Sequence, residues 1–396
     1  MQFLHFLLYL LLTILGLGVL IFVHELGHYL TARACHVTIY EFSLGMGKRL
    51  CGFTSKKTGI MYSLRLFPIG GYVSMAGEDG GEDETDAPQT DSPTEASVTD
   101  QTSPGMAPGT GKETDGEKAP RGNGADDPNA FCKKNVWQRI LILFAGAGMN
   151  ILTGFLAMLV LTVGMFASGY RMPSTTIGAF YEGAPSQVTG LAVGDTVLKV
   201  DGVRVHTGYD LSYEIMNAGY QPIDILVERD GQRVLVEDVL FPQLTAEGTT
   251  MGDMDFKVLA LENSFSNVMK VTFWRSVSSI KMAFDSIGGL ITGRYSLSSL
   301  SGPIGMSSAV SEVASQPMAG WNMLYLFALI AMNLGVMNLL PIPALDGGRL
   351  FFRFIEVLRF GKPINPRIEA RIHGAGMMIL LLLTAVIACK DIFGLF

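Results

Sequence analysis

The feature that most constrains this chain is an apolar run from Phe3 to Val23 that ends in the sequence His24-Glu25-Leu26-Gly27-His28. As a helix the run is about 30 Å long, which matches the hydrocarbon core of a bilayer. His24 and His28 then lie one turn apart on the same face, so both imidazoles can reach one zinc ion, while Glu25 can address its bound water. The pattern predicts a zinc hydrolase site on a membrane-spanning helix.

Two histidines near a membrane interface have other uses, because they can cap a helix end or meet lipid headgroups. The setting nevertheless favours a metal site. A glutamate and two histidines at membrane depth are costly unless they pair with another group or bind a ligand. We therefore expect this cluster to be functional.

Composition indicates a membrane protein with at least one soluble module, because 396 residues that are 48% hydrophobic are too many and too apolar for one soluble domain. Residues 77–130 hold fourteen acidic and three basic residues, so the net charge of −7 comes from this segment and the remainder carries +4. That distribution does not suggest a nucleic-acid binder. The four cysteines are scattered, which indicates neither a disulfide framework nor a thiolate zinc site.

The first apolar run lacks a basic segment before it and a small-residue cleavage site after it, so we expect it to be retained as an anchor. Three further spans are predicted, at 140–170, 313–345 and 374–388. Lys and Arg follow the first span and recur between residues 349 and 371. By the positive-inside rule these segments face the cytosol, which places the N-terminus outside.

The sequence between Ile60 and Val73 predicts a β-hairpin, because apolar residues alternate up to Leu66 and the pattern breaks at Pro68 and Gly70-Gly71. Such a hairpin either packs on the cytosolic surface or forms a re-entrant loop beside the zinc. In the second case its edge could hold an unwound substrate by strand addition. The candidate substrate-binding residues there are Leu64, Leu66, Gly70 and Gly71.

Three other segments have distinct patterns. Residues 77–130 contain no Leu, Ile or aromatic residue and predict a disordered cytosolic insertion. From about Thr175 to Leu244, short strands alternate with Gly-centred turns, which predicts a small soluble domain outside the cytosol. Residues 264–291 mix apolar residues with four charges and predict an amphipathic helix at the outer interface.

A third zinc ligand is needed besides the histidines, and a carboxylate usually completes such a site. Asp346 is the best candidate, because it ends a charge-free span on the same side of the membrane as His24 and His28. Its alternative role is to cap the next helix or to open an Asp-Gly turn.

These motifs together resemble the site-2 protease family of intramembrane zinc metalloproteases, in particular its bacterial regulator-of-sigma-E type. The resemblance covers nearly the whole chain. Two departures are an Ala147 where the family usually has Pro, and a single PDZ-like module where some members have two. The motifs that carry it are His24-Glu25-x-x-His28, Phe67-Pro68-x-Gly70-Gly71-Tyr72-Val73, Trp137-Gln138-Arg139, Ala145-Gly146 with Asn150, Ser301-Gly302-Pro303-Ile304-Gly305, and Asn338-Leu-Leu-Pro341-Ile-Pro343-Ala-Leu-Asp346-Gly347.

The resemblance implies a polytopic α-helical membrane protein with about four transmembrane helices, a membrane-associated β-hairpin and one inserted PDZ-like α+β domain. The expected parts are 1–76 with the first span and the hairpin, 77–130 as the insertion, 131–174 as the second span, 175–245 as the PDZ-like domain, 246–312 as linker and amphipathic helix, and 313–396 with the third and fourth spans.

The resemblance also implies Zn²⁺ bound by His24, His28 and Asp346. Glu25 is the expected base, and Asn338 is expected to bond to the substrate backbone. Substrates are expected to be single-span proteins already trimmed outside, cleaved in the bacterial cytoplasmic membrane, with the PDZ-like domain extracytoplasmic. That domain either limits access, serves as a spacer or binds peptides.

Two competing functions are a catalytically silent scaffold built around the PDZ-like module and a metal transporter. A scaffold has no use for Glu25 between the two histidines. A transporter is expected to distribute ionisable groups along several spans, whereas here they lie at one end of two spans.

Overall fold

The computed structural model describes residues 2–78, 124, 126–246, 249–262, 264–295, 300, 302–362 and 364–393. Its helices are α1 Gln2–Ala34, α2 Val136–Ala167, α3 Pro185–Val188, α4 Gly208–Ala218, α5 Phe265–Ile291, α6 Pro303–Ser315, α7 Ala319–Leu339, α8 Asp346–Leu358 and α9 Pro366–Phe393. Its strands are β1 Ile39–Thr54, β2 Met61–Met75, β3 Pro173–Phe180, β4 Thr196–Val200, β5 Val203–Arg204, β6 Ile223–Arg229, β7 Gln232–Val239, β8 Gln243–Ala246, β9 Thr249–Gly252 and β10 Phe256–Ala260.

In the described part of the chain, four helices are long and apolar enough to cross a membrane, within Leu7–Ala34, Val136–Ala167, Ala319–Leu339 and Arg367–Asp391. The chain is therefore a polytopic membrane protein, as predicted. The third span is shorter than the predicted 313–345, because α6 ends at Ser315 and Met318 has a positive φ before α7 begins. The fourth is longer than 374–388, because the polar residues at its ends also adopt helix.

Helices α2 and α7 pack closely because glycines lie on both contact faces. A Cβ atom at Gly154 would lie 2.5 Å from Cγ of Met332 and 2.9 Å from the carbonyl oxygen of Ala328. A Cβ atom at Gly335 would lie 2.9 Å from the carbonyl oxygen of Ala147. Small residues at such contacts let helix backbones approach each other in a membrane.

Strands β1 and β2 pair with each other, and residues 41–44 have two sets of partners. On one side they pair with 71–74, and on the other with 61–64, which in turn pair with 51–54. The chain reverses at residues 55–60, and it reverses again at the predicted break near Pro68–Gly71, because residues 61–64 run in the same direction as 41–44 whereas residues 71–74 run in the opposite direction. Strand β1 was missed, since its Gly, Lys and Arg residues obscure the apolar alternation.

The ends of the predicted insertion also differ. Within 77–130, Glu78 forms an ion pair with Arg349, and residues 126–130 form turns that lead into the chain before α2. The backbone N–H of Thr38 donates to the carbonyl of Asn129, which attaches this segment to β1. The rest of the insertion, 79–123 and 125, lies outside the described residues.

The module predicted at residues 175–245 contains a sheet in the order β10-β3-β4-β6-β7, with β5 paired to β4 and α4 packed against it. Its fifth long strand, β10, lies beyond the predicted limit at residue 245. Phe256 of β10 is only 1% exposed in the core, so the module is incomplete without this strand. The pairing joins β10 to β3, about eighty residues earlier in the chain, so the local sequence does not predict it.

Helix α5 connects the module to the spans. Two of its charged residues face α4, since Lys281 contacts Glu214 at 2.9 Å and Asp285 accepts a hydrogen bond from Tyr213 at 2.9 Å. Arg275 lies between the rings of Tyr209 on α4 and Tyr325 on α7, 4.0 Å from each centroid. The predicted amphipathic helix therefore exists, and protein covers its polar face from Arg275 to Asp285, whereas Lys270 is exposed.

We expect Gly154→Leu to push α2 away from α7, because the added side chain meets Met332 and a backbone carbonyl. Overpacking of this kind costs about 1–3 kcal/mol. Thermal unfolding of the detergent-solubilised protein should show a lower midpoint. Gly320→Leu, on α7 with no atom within 4 Å of its added Cβ, is the matched control. Equal midpoints for the two variants would contradict the close packing.

Candidate active site

Three predicted metal ligands converge where α1 meets the start of α8. Nε2 of His24 lies 2.9 Å from Oδ2 of Asp346, and Nε2 of His28 lies 3.2 Å from the same oxygen. The two Nε2 atoms are 3.1 Å apart. Among the described residues this is the one group of three His, Cys, Asp or Glu side chains close enough to hold a metal ion.

The donor set fits zinc. Ligand atoms of a tetrahedral zinc site with bonds of about 2.0–2.1 Å are separated by about 3.3 Å, close to the separations found here. Both histidines are 8% exposed, so the site is largely dry. Two neutral imidazoles and one carboxylate leave the fourth position open, which is the arrangement of a catalytic rather than a structural zinc site.

Helix α2 orients the imidazole of His28. Nδ1 of His28 lies 2.8 Å from the carbonyl oxygen of Ile142, which can only accept a hydrogen bond. The proton is therefore on Nδ1, and Nε2 keeps its lone pair for the metal. Hydrogen bonds of this kind set the tautomer of metal-binding histidines.

Asn150 orients the imidazole of His24, once the oxygen and nitrogen of the Asn150 amide are assigned from the hydrogen bonds. Its Nδ2 is placed 3.4 Å from Nδ1 of His24, while its Oδ1 is buried without a partner among the described residues. Amide oxygen and nitrogen are assigned from the network. Turning the amide lets Nδ1–H of His24 donate to Oδ1, which satisfies the oxygen and leaves Nε2 of His24 free for the metal.

The approach of α1 to α2 depends on two glycines. A Cβ atom at Gly27 would lie 2.4 Å from the carbonyl oxygen of Ala145. A Cβ atom at Gly146 would lie 2.2 Å from Nε2 of His28. The glycine inside the His-Glu-x-Gly-His sequence and the glycine of the Ala145-Gly146 pair thus admit the imidazole between the two helices.

Asp346 reaches the histidines through a tight turn between α7 and α8. Ala344 has a φ of 80°, and a Cβ atom at Gly347 would lie 2.1 Å from the carbonyl oxygen of Leu340. Farther along α8, Glu356 accepts a hydrogen bond from Arg139 at 2.5 Å, and both side chains are buried. This ion pair joins α8 to the first turn of α2, the helix that also holds His28.

Glu25 lies beside strand β2. A Cβ atom at Gly71 would lie 2.7 Å from Cγ of Glu25 and 3.0 Å from the carbonyl oxygen of Ser43, so a larger residue would displace the glutamate or the strand. Asn338 also lies at the site, with Nδ2 3.4 Å from Nδ1 of His24. The structure therefore brings Gly71 and Asn338 to the predicted centre.

The other predicted substrate residues are placed differently. Gly70 faces Met46, because a Cβ atom there would lie 2.8 Å from its Cε. Leu64 pairs with Leu44 on one side and Cys51 on the other, so it does not form the edge of the sheet that the hypothesis required. The side chains of Leu64 and Leu66 are 43% and 49% exposed. The edge beside Glu25 belongs to residues 71–74.

A half-buried polar cluster holds this edge on β1. Glu41 accepts hydrogen bonds from Ser63 at 2.5 Å, Tyr72 at 2.7 Å and Arg65 at 2.9 Å. Burial raises the pKa of Tyr72 to about 12, and the hydrogen bond to Glu41 adds to this. Tyr72 therefore stays protonated and keeps donating at physiological pH, which anchors the residue next to Gly71.

Sequence reasoning missed the supporting residues. The Ile142 contact is made by a backbone carbonyl, which no side-chain pattern reveals. Arg139 and Asn150 stand in motifs that pointed to the family, but their partners Glu356 and His24 are 217 and 126 residues away. The available signal for Glu356 was a Glu at helical spacing from Arg349 and Arg353, on a helix whose other face is apolar.

We expect Gly146→Ala to weaken zinc binding, because the added methyl group occupies the place of the His28 imidazole, and moving the ring breaks its bond to Ile142. Zinc retained after dialysis against a graded chelator series measures this. Gly148→Ala, on the same helix but facing the Phe144 ring at 3.1 Å, should bind zinc as the parent does. Unchanged zinc affinity in Gly146→Ala would show that the ring has room to move.

Comparison with known proteins agrees with this site. The profile of Peptidase family M50 matches residues 12–383. A Fusobacterium nucleatum protein whose name describes a zinc metalloprotease is 31% identical over 98% of this chain and 99% of its own. Zinc metalloprotease RasP of Geobacillus kaustophilus is 30% identical over 95% of each chain, and Regulator of sigma-W protease RasP of Bacillus subtilis is 30% identical over 96% of this chain and 97% of its own. The chain therefore belongs to peptidase family M50, the site-2 proteases, and is a membrane-embedded zinc metalloprotease.

Proposed function

We propose that this protein is an intramembrane endopeptidase that hydrolyses peptide bonds within transmembrane segments of other membrane proteins. The observation that carries the proposal is the convergence of His24, His28 and Asp346, two of them on a helix long and apolar enough to span the bilayer. A site at that depth is reached by membrane segments more readily than by soluble peptides. The name of the Bacillus subtilis relative refers to sigma-W, and substrates of the anti-sigma-factor kind or signal-peptide remnants fit this proposal.

Residue roles follow from the geometry. His24, His28 and Asp346 would hold zinc, which would supply polarisation of the scissile carbonyl and a lowered pKa for the attacking water. Glu25 accepts the proton of that water and returns it to the leaving amine. Since Asn150 takes the N–H of His24, the amide of Asn338 is available to donate to a substrate carbonyl.

The substrate must be unwound, because the carbonyls of a helix are bonded within it and its turns shield them. Residues 71–74 have strand partners on one side only among the described residues, and Gly71 touches Glu25. An extended substrate added along this edge would lie next to the proposed base. We propose that the edge formed by residues 71–74 has the role that the sequence analysis gave to Leu64 and Leu66.

The alternative of a silent scaffold is disfavoured by the same contacts. A scaffold does not need Glu25 against a strand edge or three converging ligands.

The protein is assigned to a bacterial cytoplasmic membrane, with α8 and the insertion on the cytosolic side and the module on the outer side, since Lys and Arg cluster in the segments that follow α1 and α7.

For Glu25→Gln we expect zinc to be retained and cleavage to fall by about 10²–10⁴-fold, because the amide keeps the shape but cannot accept a proton. Zinc content and hydrolysis of a model transmembrane peptide in proteoliposomes are measured on the same preparation. Glu182→Gln, an exposed carboxylate on the module, is the control. Near-normal turnover in zinc-loaded Glu25→Gln would exclude Glu25 as the base.

For Asp346→Asn we expect loss of both zinc and cleavage, since a neutral amide oxygen is a weaker ligand than a carboxylate and leaves the metal charge uncompensated in a dry site. Zinc titration by a fluorescent chelator competition measures the affinity. Full zinc affinity in this variant, together with loss of affinity when another carboxylate is neutralised, would assign the third ligand elsewhere.

The module, β3 to β10 with α4, is proposed to be a PDZ-like domain that restricts access to substrates already trimmed outside. Its contacts to α5 and, through Arg275, to α7 hold it against the spans. The chain enters and leaves it side by side, because the N–H of Leu261 donates to the carbonyl of Met172 at 2.8 Å. Residues 173–260 can therefore be replaced by a short Gly-Ser linker.

We expect that replacement to permit cleavage of a substrate that carries its full outer domain, while the trimmed substrate is cleaved as before. The two substrates are compared side by side on parent and linker variants. Unchanged discrimination by the linker variant, with the trimmed substrate still cleaved, would make the module a spacer.

A further inference from the structure

Helix α8 has its polar and apolar faces reversed relative to a helix on a water-exposed surface. Its charged residues at 349, 353 and 356 face the protein: Arg349 pairs with Glu78 at 2.5 Å, and Arg353 pairs with Glu356 at 2.9 Å and with Glu369. The side chain of Glu356 is only 4% exposed. The protein-facing side of α8 thus holds these ion pairs, next to the buried side chain of Leu350.

The opposite face of α8 carries large apolar side chains. Phe351, Phe354 and Leu358 are spaced as neighbours along one helical stripe and are 50%, 46% and 78% exposed. Phe360, just past the helix, is 97% exposed. A row of this kind in contact with water marks a surface that is covered by something else.

The position of α8 in the chain indicates that lipid covers its apolar stripe. Six residues separate it from the end of span α7, and seven separate it from the start of α9. Its buried face contacts the first turn of span α2 through Glu356 and Arg139. Helix α8 is therefore confined to the level at which three spans enter the membrane, where its apolar stripe meets lipid before it can meet water.

The positive charge beside the stripe indicates which lipid headgroups lie there. Arg359 and Lys362 follow α8 and are exposed, as are Arg367 and Arg371 at the start of α9. Between residues 359 and 371 the one acidic residue is Glu369, which is already paired with Arg353. Basic residues next to an apolar stripe bind anionic headgroups while the stripe enters the acyl boundary.

We propose that α8 is an interfacial lipid-binding helix: Phe351, Phe354 and Leu358 insert at the acyl boundary, and Arg359 and Lys362 bind anionic phospholipid headgroups. Because Asp346 is the first residue of α8, the lipid contact would also hold the third proposed zinc ligand. That consequence rests on the proposed function. The lipid contact itself does not, and it is tested without zinc or cleavage.

The first test measures depth. Full-length Phe354→Trp protein is reconstituted in vesicles of phosphatidylcholine and phosphatidylglycerol containing brominated acyl chains, and the fluorescence contributed by the added tryptophan is obtained by difference from the parent. We expect this contribution to be quenched at least about twofold more than that of Phe352→Trp, whose position faces His373 on α9 with ring centroids 5.6 Å apart.

The second test measures headgroup preference. In unbrominated vesicles, we expect the tryptophan of Leu358→Trp to be quenched more by spin-labelled phosphatidylglycerol than by spin-labelled phosphatidylcholine. Adding Arg359→Gln and Lys362→Gln should abolish the preference, whereas Lys56→Gln with Lys57→Gln in the β1–β2 turn should leave it.

Equal quenching at 354 and 352 would overturn the proposal, because the stripe would then face no lipid. Quenching at 354 that is lost at high protein-to-lipid ratio would also overturn it, in favour of a second copy of the chain on this face. Strong acyl quenching without any headgroup preference in the Leu358→Trp protein would overturn the assignment of Arg359 and Lys362.

Discussion

The close approach of α1 to α2 is the contact on which the rest of the molecule depends. Gly27 lies against the backbone of Ala145, and Gly146 leaves room for the imidazole of His28. At this separation the Ile142 carbonyl reaches Nδ1 of His28 at 2.8 Å. In a dry site a histidine without that acceptor would hold its proton on either nitrogen, and the metal-binding atom would not be defined.

Helix α2 serves as a common support for all three ligands. It contacts His28 through Ile142, contacts His24 through Asn150, and holds α8 through the ion pair of Arg139 with Glu356. Each of these contacts is buried, and each satisfies a polar group that would be costly if left alone. One helix with a continuous backbone thus relates side chains from distant parts of the chain.

Much of this organisation follows from local pattern. The four spans are evident because long apolar helices are the usual way to bury a backbone in lipid, and their charge-free runs are unmistakable. The strands were harder to find. β1 is rich in Gly and basic residues, and β10 is a five-residue segment whose role in the module is set by pairing with β3. Two of the predicted boundaries moved because a polar residue is covered by a distant partner: Glu78 pairs with Arg349, and Glu369 at the start of α9 pairs with Arg353.

The sequence by itself determined that His24 and His28 share one face of a membrane helix, because a spacing of four residues is a property of the helix alone. It also indicated Asp346 as the missing ligand, through its position at the end of an uncharged span. Only the tertiary structure decided that this carboxylate meets the histidines across 318 residues, and that α2 orients the two rings. Those contacts depend on how closely the helices pack. The packing distance is set by small residues that face each other on different helices, and the sequence of one helix does not show which residues of another helix it will face.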